Sequence, residues 1–200
     1  MSTVLYIKAN AKPEGTSRTF KISDAFIESY KKHHPDDEVV TLDLYQEVIG
    51  FLNAESVMMH GSNAGESRNH PILKYAYQFL EADKYVFAAP LWNLSIPAIL
   101  KAYIDYITVT GITFKYTAAG AVGLCNGKKA VHIVSRGGYY STEPYSNFEM
   151  GDRYLRTLLG FLGIKDITTI SADGLDVVGN DVNAIVGEAI SKANETAAIF

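Results

Sequence analysis

Five short and almost continuously apolar runs alternate with segments of helical spacing, and this alternation is the strongest constraint on the fold. The runs predict β-strands at 4–7, 38–44, 84–90, 129–135 and 166–172. Strands without polar alternation are buried on both faces, and helices between successive strands are typical of a parallel sheet. The sequence therefore predicts a doubly wound α/β fold, with five parallel strands in the order 2-1-3-4-5 and helices on both faces.

The helical segments can be placed from their spacing and their first residues. Ile22, Phe26 and Tyr30 follow Ser17 at four-residue intervals, which predicts a helix over 18–33 with Ser17 as a possible N-cap. Further helices are predicted at 71–82, 97–109, 150–162 and 181–198. The segments 48–70 and 110–127 are longer than ordinary connections. We expect each of them to form a pocket wall or a subunit contact.

Composition narrows the classes of protein that fit. The chain has 200 residues, of which 48% are hydrophobic, so we expect a single domain over 1–200 with a well-buried core. A net charge of −4 gives no general attraction to nucleic acid. No apolar run approaches the ~18 residues that cross a bilayer, and no leader is evident. With Cys125 as its one cysteine, the chain is expected to be cytoplasmic, without a membrane partner.

In an open parallel sheet, ligands bind beyond the carboxyl ends of the strands, where the strand order reverses. The loops at that point are 9–19, 90–97 and 135–142. The first carries Asn10, Ser17, Arg18 and Thr19 ahead of a helix, a combination that suits a phosphate. An ordinary Ser cap beside a solvated Arg remains the alternative.

The other two loops suit a flat ligand. The second contains Pro90, Leu91, Trp92, Asn93 and Leu94, which could wall one side of a planar ring. The third contains Ser135, Arg136, Gly137 and Gly138, where paired glycines allow the backbone to approach a ligand. A core Trp, a turn-forming Asn and a tight Gly-Gly turn are the structural alternatives. The conjunction of three such loops favours a ligand.

Several other site types are not indicated. No G-x-G-x-x-G follows a strand, and "GLCNGKK" has Val122 and Lys129 where a P-loop requires Gly and Ser or Thr. The five histidines lack metal-ligand spacing, so no metal is expected. Cys125 has no evident activating neighbour, and no coherent acid, base or nucleophile is present.

Three segments carry a resemblance to a known family. "AAPLWNLSIPAILKAYID", "GITFKYTAAGAVGL…GKKAVHIVSRGG" and "LLGFLGI" resemble the FMN-dependent NADH-azoreductases, also described as FMN-dependent NADH:quinone oxidoreductases, and the resemblance covers nearly the whole chain. It implies a flavodoxin-like fold and a homodimer with noncovalent FMN near the interface. It also implies ping-pong electron transfer from NADH or NADPH to quinones and azo compounds.

The resemblance also assigns roles to residues. It implies that Asn10, Ser17, Arg18 and Thr19 bind the FMN phosphate, and that Leu91–Leu94 and Ser135–Gly138 contact the flavin ring. Tyr116 and Phe161 match aromatic positions near the substrate pocket, while FMN itself carries the chemistry. Leu91-Trp92-Asn93-Leu94 stands where Met-Tyr-Asn-Phe is common, and Asn10 where Ser is frequent. The segment 48–70 matches poorly, and we expect substrate specificity to differ there.

Two other functions remain open. A flavodoxin-type electron carrier or flavin-binding regulator would bind FMN in similar loops, but a carrier usually has a strongly acidic rim, which a net charge of −4 does not suggest. A structural dimer with an empty pocket would be colourless. We favour the enzyme, and NADH over NADPH, because no basic cluster for a 2′-phosphate is evident.

Overall fold

The fold is built on a central parallel sheet. The structure is a computed structural model that describes residues 1–13, 15–62, 68 and 70–200, without the side chains of Met59, Gly61 and Ser62. The sheet is formed by five strands, β1 (Thr3–Lys8), β2 (Glu38–Asp43), β3 (Lys84–Ala88), β6 (Lys129–Ser135) and β7 (Asp166–Ala172). Their order across the sheet is β2-β1-β3-β6-β7. Because β6 and β7 are the fourth and fifth strands of this sheet along the chain, the predicted 2-1-3-4-5 order is confirmed.

Helices cover both faces of this sheet because its strands are apolar on both sides. Leu5 and Ile7 of β1 join one hydrophobic cluster, and the alternating Val4 and Tyr6 join the other. The first cluster packs against α3 (Lys74–Glu81), α4 (Ala98–Ile107) and α5 (Gly151–Phe161), and the second against α1 (Arg18–His33) and α6 (Val182–Ile199). Within the described residues, no helix is long and apolar enough to span a membrane.

The helix starts follow the predicted signals. Ser17 is the N-cap of α1, and its Oγ accepts a hydrogen bond from the Phe20 N–H at 3.1 Å. The predicted helix at 71–82 is divided into a 3-10 turn (Pro71–Leu73) and α3. Pro97 directly precedes α4, where its missing N–H leaves no helical bond unmade.

The two long segments contain secondary structure that the periodicity did not predict. Segment 48–70 includes α2 (Ala54–Ser62), while residues 63–67 and 69 of it lie outside the described residues. Segment 110–127 contains an antiparallel hairpin of β4 (Phe114–Thr117) and β5 (Gly120–Gly123). The hairpin packs closely on the end of α5. At Gly123 the approach leaves no space for a Cβ, which would lie 2.1 Å from the Leu162 backbone.

Candidate functional site

The loops that follow β1, β3, β6 and β7 meet at the carboxyl edge of the sheet and enclose a small cavity. Its volume is about 90 Å³. It is lined by Asn10, Lys12, Arg18, Pro90, Leu91, Trp92, Ser135, Arg136, Gly137, Leu175 and Asp176. A larger cleft of about 480 Å³ lies between β7 and α6, away from the switch point of the sheet. The cavity unites residues of all three predicted loops.

The first loop is fixed to the start of α1 by its own polar side chains. Asn10 Nδ2 donates to Ser17 Oγ at 2.8 Å, and both side chains are buried. Thr19 is also fully buried, and its hydroxyl lies 2.6 Å from the hydroxyl of Ser135 at the end of β6. The first turn of any helix also leaves backbone N–H groups free to bind an anion. Ser17 is therefore an N-cap, as the alternative in the sequence analysis held, and it lies inside a polar cluster beside the cavity.

Three cations, Lys12, Arg18 and Arg136, and the carboxylate of Asp176 line the cavity. Arg18 Nη1 donates to Asp176 Oδ1 at 2.7 Å and to the Leu175 carbonyl at 3.2 Å. Arg18 is thus paired with a carboxylate at the surface, with 35% of its side chain exposed to solvent. The local balance of these charged groups favours an anion.

The second loop contains a tight turn. Trp92 and Ser95 exchange two backbone hydrogen bonds of 2.9 and 3.0 Å, and the residues between them have positive φ angles, 48° at Asn93 and 67° at Leu94. Positive φ at both central positions defines a type I′ turn, which suits Asn and strains Leu. Asn93 is therefore a turn former, as the alternative held, whereas Trp92 is only partly buried and lines the cavity.

The third loop approaches the side chain of Asp176 closely at Gly137. A Cβ there would lie 2.6 Å from Asp176 Oδ2, and the Asp176 N–H donates to the Gly137 carbonyl at 2.9 Å. Gly138 faces the Tyr140 ring instead of the cavity. The Arg136 guanidinium is buried and pairs with Glu149 at 3.3 Å and Asp173 at 3.2 Å. Its charge is thus held inside the protein.

Eight of the predicted cofactor residues line the cavity, namely Asn10, Arg18, Pro90, Leu91, Trp92, Ser135, Arg136 and Gly137. Ser17 and Thr19 lie buried behind it, and Asn93 and Leu94 form the exposed turn beside it. Tyr116 and Phe161 both pack on Phe114, and neither lines the cavity. Because α5 begins at the carboxyl edge of the sheet, Phe161 at its end lies roughly 15 Å further along the helix.

Sequence reasoning missed Lys12, Leu175 and Asp176. The last two belong to the loop after β7, which the switch-point rule does not single out. Its "DGLDV" run, directly after the last strand, was the available signal. Lys12 lay within the first predicted loop and could have been included as a cation close to the phosphate position.

The ionisable carboxylate at the cavity, Asp176, is paired with Arg18, and the Ser135 hydroxyl is hydrogen-bonded to Thr19. Burial raises the pKa of the Cys125 thiol to about 11 and keeps it protonated. Burial would also raise the pKa of Asp152, but bonds from His132, Thr169 and Arg156 hold it well below its ordinary value. No group of three potential metal ligands occurs in the described part of the chain.

The fold and the site place the chain in a known class. Residues 2–197 match the model of a family described as having a flavodoxin-like fold. The chain is 68% identical, over the full length of both proteins, to an FMN-dependent NADH:quinone oxidoreductase 2 of Clostridium acetobutylicum. The chain belongs to the family of FMN-dependent NADH:quinone oxidoreductases, as the resemblance predicted.

Solved structures agree with this assignment. An azoreductase from Bacillus anthracis superposes with a TM-score of 0.91 at 38% identity, with each chain fully covered. An FMN-dependent NADH-azoreductase from the same species, in complex with FMN, superposes with a TM-score of 0.89 at 29% identity, covering 100% of this chain and 99% of that one.

Proposed function

We propose that this protein transfers electrons from NADH, or less readily NADPH, through bound FMN to quinones and aromatic azo compounds in a ping-pong order. The observation that carries this proposal is the convergence of three loops on one cavity at the switch point of a flavodoxin-like sheet. The 68% identical relative bears the name of that NADH:quinone activity. Because the donor is NADH, we also propose a cytoplasmic location.

The residues at the start of α1 fit the phosphate of FMN. Asn10 lines the cavity with an amide, and the buried hydroxyls of Ser17 and Thr19 lie behind it as polar support. The first turn supplies backbone N–H groups with the positive end of the helix dipole. Arg18 and Lys12 add positive charge at the cavity wall. A volume of about 90 Å³ suits one anionic group and not a whole flavin.

The flavin ring would therefore lie at the mouth of the cavity. Pro90–Leu94 would contact one side of it and Ser135–Gly138 an edge. The Leu91 N–H donates to the Ser135 carbonyl at 3.0 Å, so the two walls are tied together at their base. Gly137 lines the cavity and has no side chain of its own to screen its backbone from a ligand.

Bound FMN would supply the redox chemistry between donor and acceptor. The protein's own residues bind and orient the cofactor and exclude water. In this proposal no side chain acts as a catalytic acid or base.

We propose that the protein is a homodimer. Leu94, Phe148 and Met150 are 39 to 53% exposed beside the site, and Tyr116 is 71% exposed. Contiguous exposed apolar patches mark contact sites with a partner, and in this proposal the side chains beside the site form such a patch. Tyr116 and Phe161 do not line the cavity of their own chain, and in this proposal a second copy supplies them. A monomeric mass by light scattering at micromolar concentration would contradict it.

The test of the activity is spectroscopic. Protein loaded with FMN should be yellow, bleach when NADH is added without oxygen, and recover its colour with a quinone or an azo dye. Steady-state rates with NADH and NADPH, and with a panel of acceptors, then define the preferences. Yellow protein that does not bleach with NADH would support the electron carrier, and protein that binds no FMN would refute the proposal.

A further inference from the structure

The start of α5 contacts the turn that follows β3. The Met150 N–H donates to the Leu94 carbonyl at 2.9 Å. At Gly151, a Cβ would lie 3.1 Å from Leu91 Cδ1 and 3.4 Å from the Ser95 carbonyl carbon. The helix start thus contacts the strained turn through one hydrogen bond and through close packing at Gly151, where an added Cβ would press on Leu91.

The same helix start also holds the loop that follows β6. Glu149 is only 7% exposed, and its Oε1 lies 3.3 Å from Arg136 Nη2. Its carboxylate also accepts the N–H groups of Asp152, at 2.9 and 3.1 Å, and of Arg153, at 3.4 Å. Arg136 directly precedes the Gly137-Gly138 pair. One buried carboxylate therefore joins the first turn of α5 to the second wall of the site.

We propose that Glu149–Gly151, which we call the α5 anchor, sets the spacing between the two walls of the ring site, and that Glu149 is its positioning residue. The assignment of those walls to FMN rests on the proposed function. The anchoring of the two loops does not, because it follows from contacts within the chain.

A role limited to capping α5 does not account for the arrangement. An exposed Ser, Asp or Asn satisfies the N–H groups of a helix start. A buried carboxylate is costly unless it is paired, and Glu149 is paired with a group of the neighbouring loop. A turn with Leu at positive φ also persists only where its surroundings hold it, and the Met150 bond supplies such a contact.

The test compares two variants of the anchor with two matched controls. Glu149→Gln keeps the shape of the side chain but removes its charge, and Asp173 remains to pair with Arg136. Its control, Glu143→Gln, changes an exposed glutamate in the same connection between β6 and α5. The carboxylate of Glu143 accepts hydrogen bonds from Ser146 and Asn147. Gly151→Ala adds the crowded Cβ, and Gly160→Ala adds one in the same helix with nothing within 4 Å.

Amide hydrogen exchange of the FMN-free protein is the primary measurement, and FMN titration is the second. We expect both anchor variants to speed exchange at Leu91, Trp92 and Arg136 at least tenfold and to weaken FMN binding at least tenfold. Both controls should stay within twofold of wild type. Purely structural variants would lower the unfolding temperature without these local changes.

Folded Glu149→Gln and Gly151→Ala proteins with wild-type exchange and FMN affinity would overturn the inference. If Glu149→Gln does not fold, Gly151→Ala against Gly160→Ala decides the question. If the wild type binds no FMN, the proposed function fails, while hydrogen exchange still tests the anchor.

Discussion

At Leu94, substitution by Gly should give a more stable protein than substitution by Ala, which is the reverse of the usual order. An L-residue in the left-handed region costs about 1–2 kcal/mol, which Leu94→Gly should remove. Leu94 is 39% exposed, so about three fifths of its surface is covered. Losing that fraction of a leucine's burial, which is worth roughly 1.5–3 kcal/mol in full, costs about 1–2 kcal/mol. Leu94→Gly should therefore leave the free energy of unfolding nearly unchanged.

Leu94→Ala separates the two contributions. It loses nearly the same apolar contact but keeps a Cβ at positive φ, so it should be less stable than Leu94→Gly by about 1 kcal/mol. At ordinary φ the order is opposite, because Gly in a helix costs roughly 0.5–1 kcal/mol relative to Ala. Glu188→Ala and Glu188→Gly, at an exposed site in α6, provide that reference pair.

Urea unfolding of the four FMN-free variants gives the required free energies. The reasoning is refuted if Leu94→Ala is as stable as Leu94→Gly, or more stable, while the Glu188 pair keeps its usual order. In that case Leu94 does not have the left-handed conformation on which the strained turn depends.

Three further predictions concern the proposed phosphate site at the start of α1, the proposed contact of Trp92 with the flavin ring, and the stability of the chain in acid. Ser17→Ala combined with Arg18→Ala should lower FMN affinity at least tenfold, since each charge-assisted bond is worth about 1.5–3 kcal/mol; unchanged flavin content after dialysis would contradict it. Trp92→Tyr should retain FMN, because Tyr is common at this position in the family. Loss of FMN from the purified variant would contradict the proposed contact of Pro90–Leu94 with the flavin ring. A hydrogen bond from Tyr30 holds the pKa of Asp37 at about 2, below its ordinary 3.8. The stabilisation that Asp37 provides, about 2 kcal/mol, is therefore present above about pH 4 and lost toward pH 2. Urea unfolding of Asp37→Asn should then approach wild type at low pH, and a constant difference would contradict this.

The sheet could be predicted because its signals are local and repeated. Each strand is a separate apolar run, and α1 begins at a Ser whose side chain caps it. Parallel connections then leave few strand orders, and the switch point follows from the order. Convergence of the loops around Asn10, Pro90 and Ser135 was predictable for the same reason.

Side-chain direction within those loops was not predictable. Arg136 stands in the motif of the third loop, yet its guanidinium binds Glu149 and Asp173, which are 13 and 37 residues away in the chain. Leucine is a residue type that argues against positive φ, so nothing local indicated the conformation of Leu94. Both features depend on contacts distant in sequence, which periodicity cannot report.

The α5 anchor accounts for how the strained conformation of Leu94 is held, and the strain accounts for why the turn needs those contacts. A Gly at position 94 would adopt the turn without strain, but it would also let the ring wall move. With Leu, the turn keeps an apolar side chain beside the cavity, and the contacts from Met150 and Gly151 help to hold the conformation. Leu94→Gly should therefore keep the protein's stability and still weaken FMN binding, a separation that simple loss of folding cannot produce.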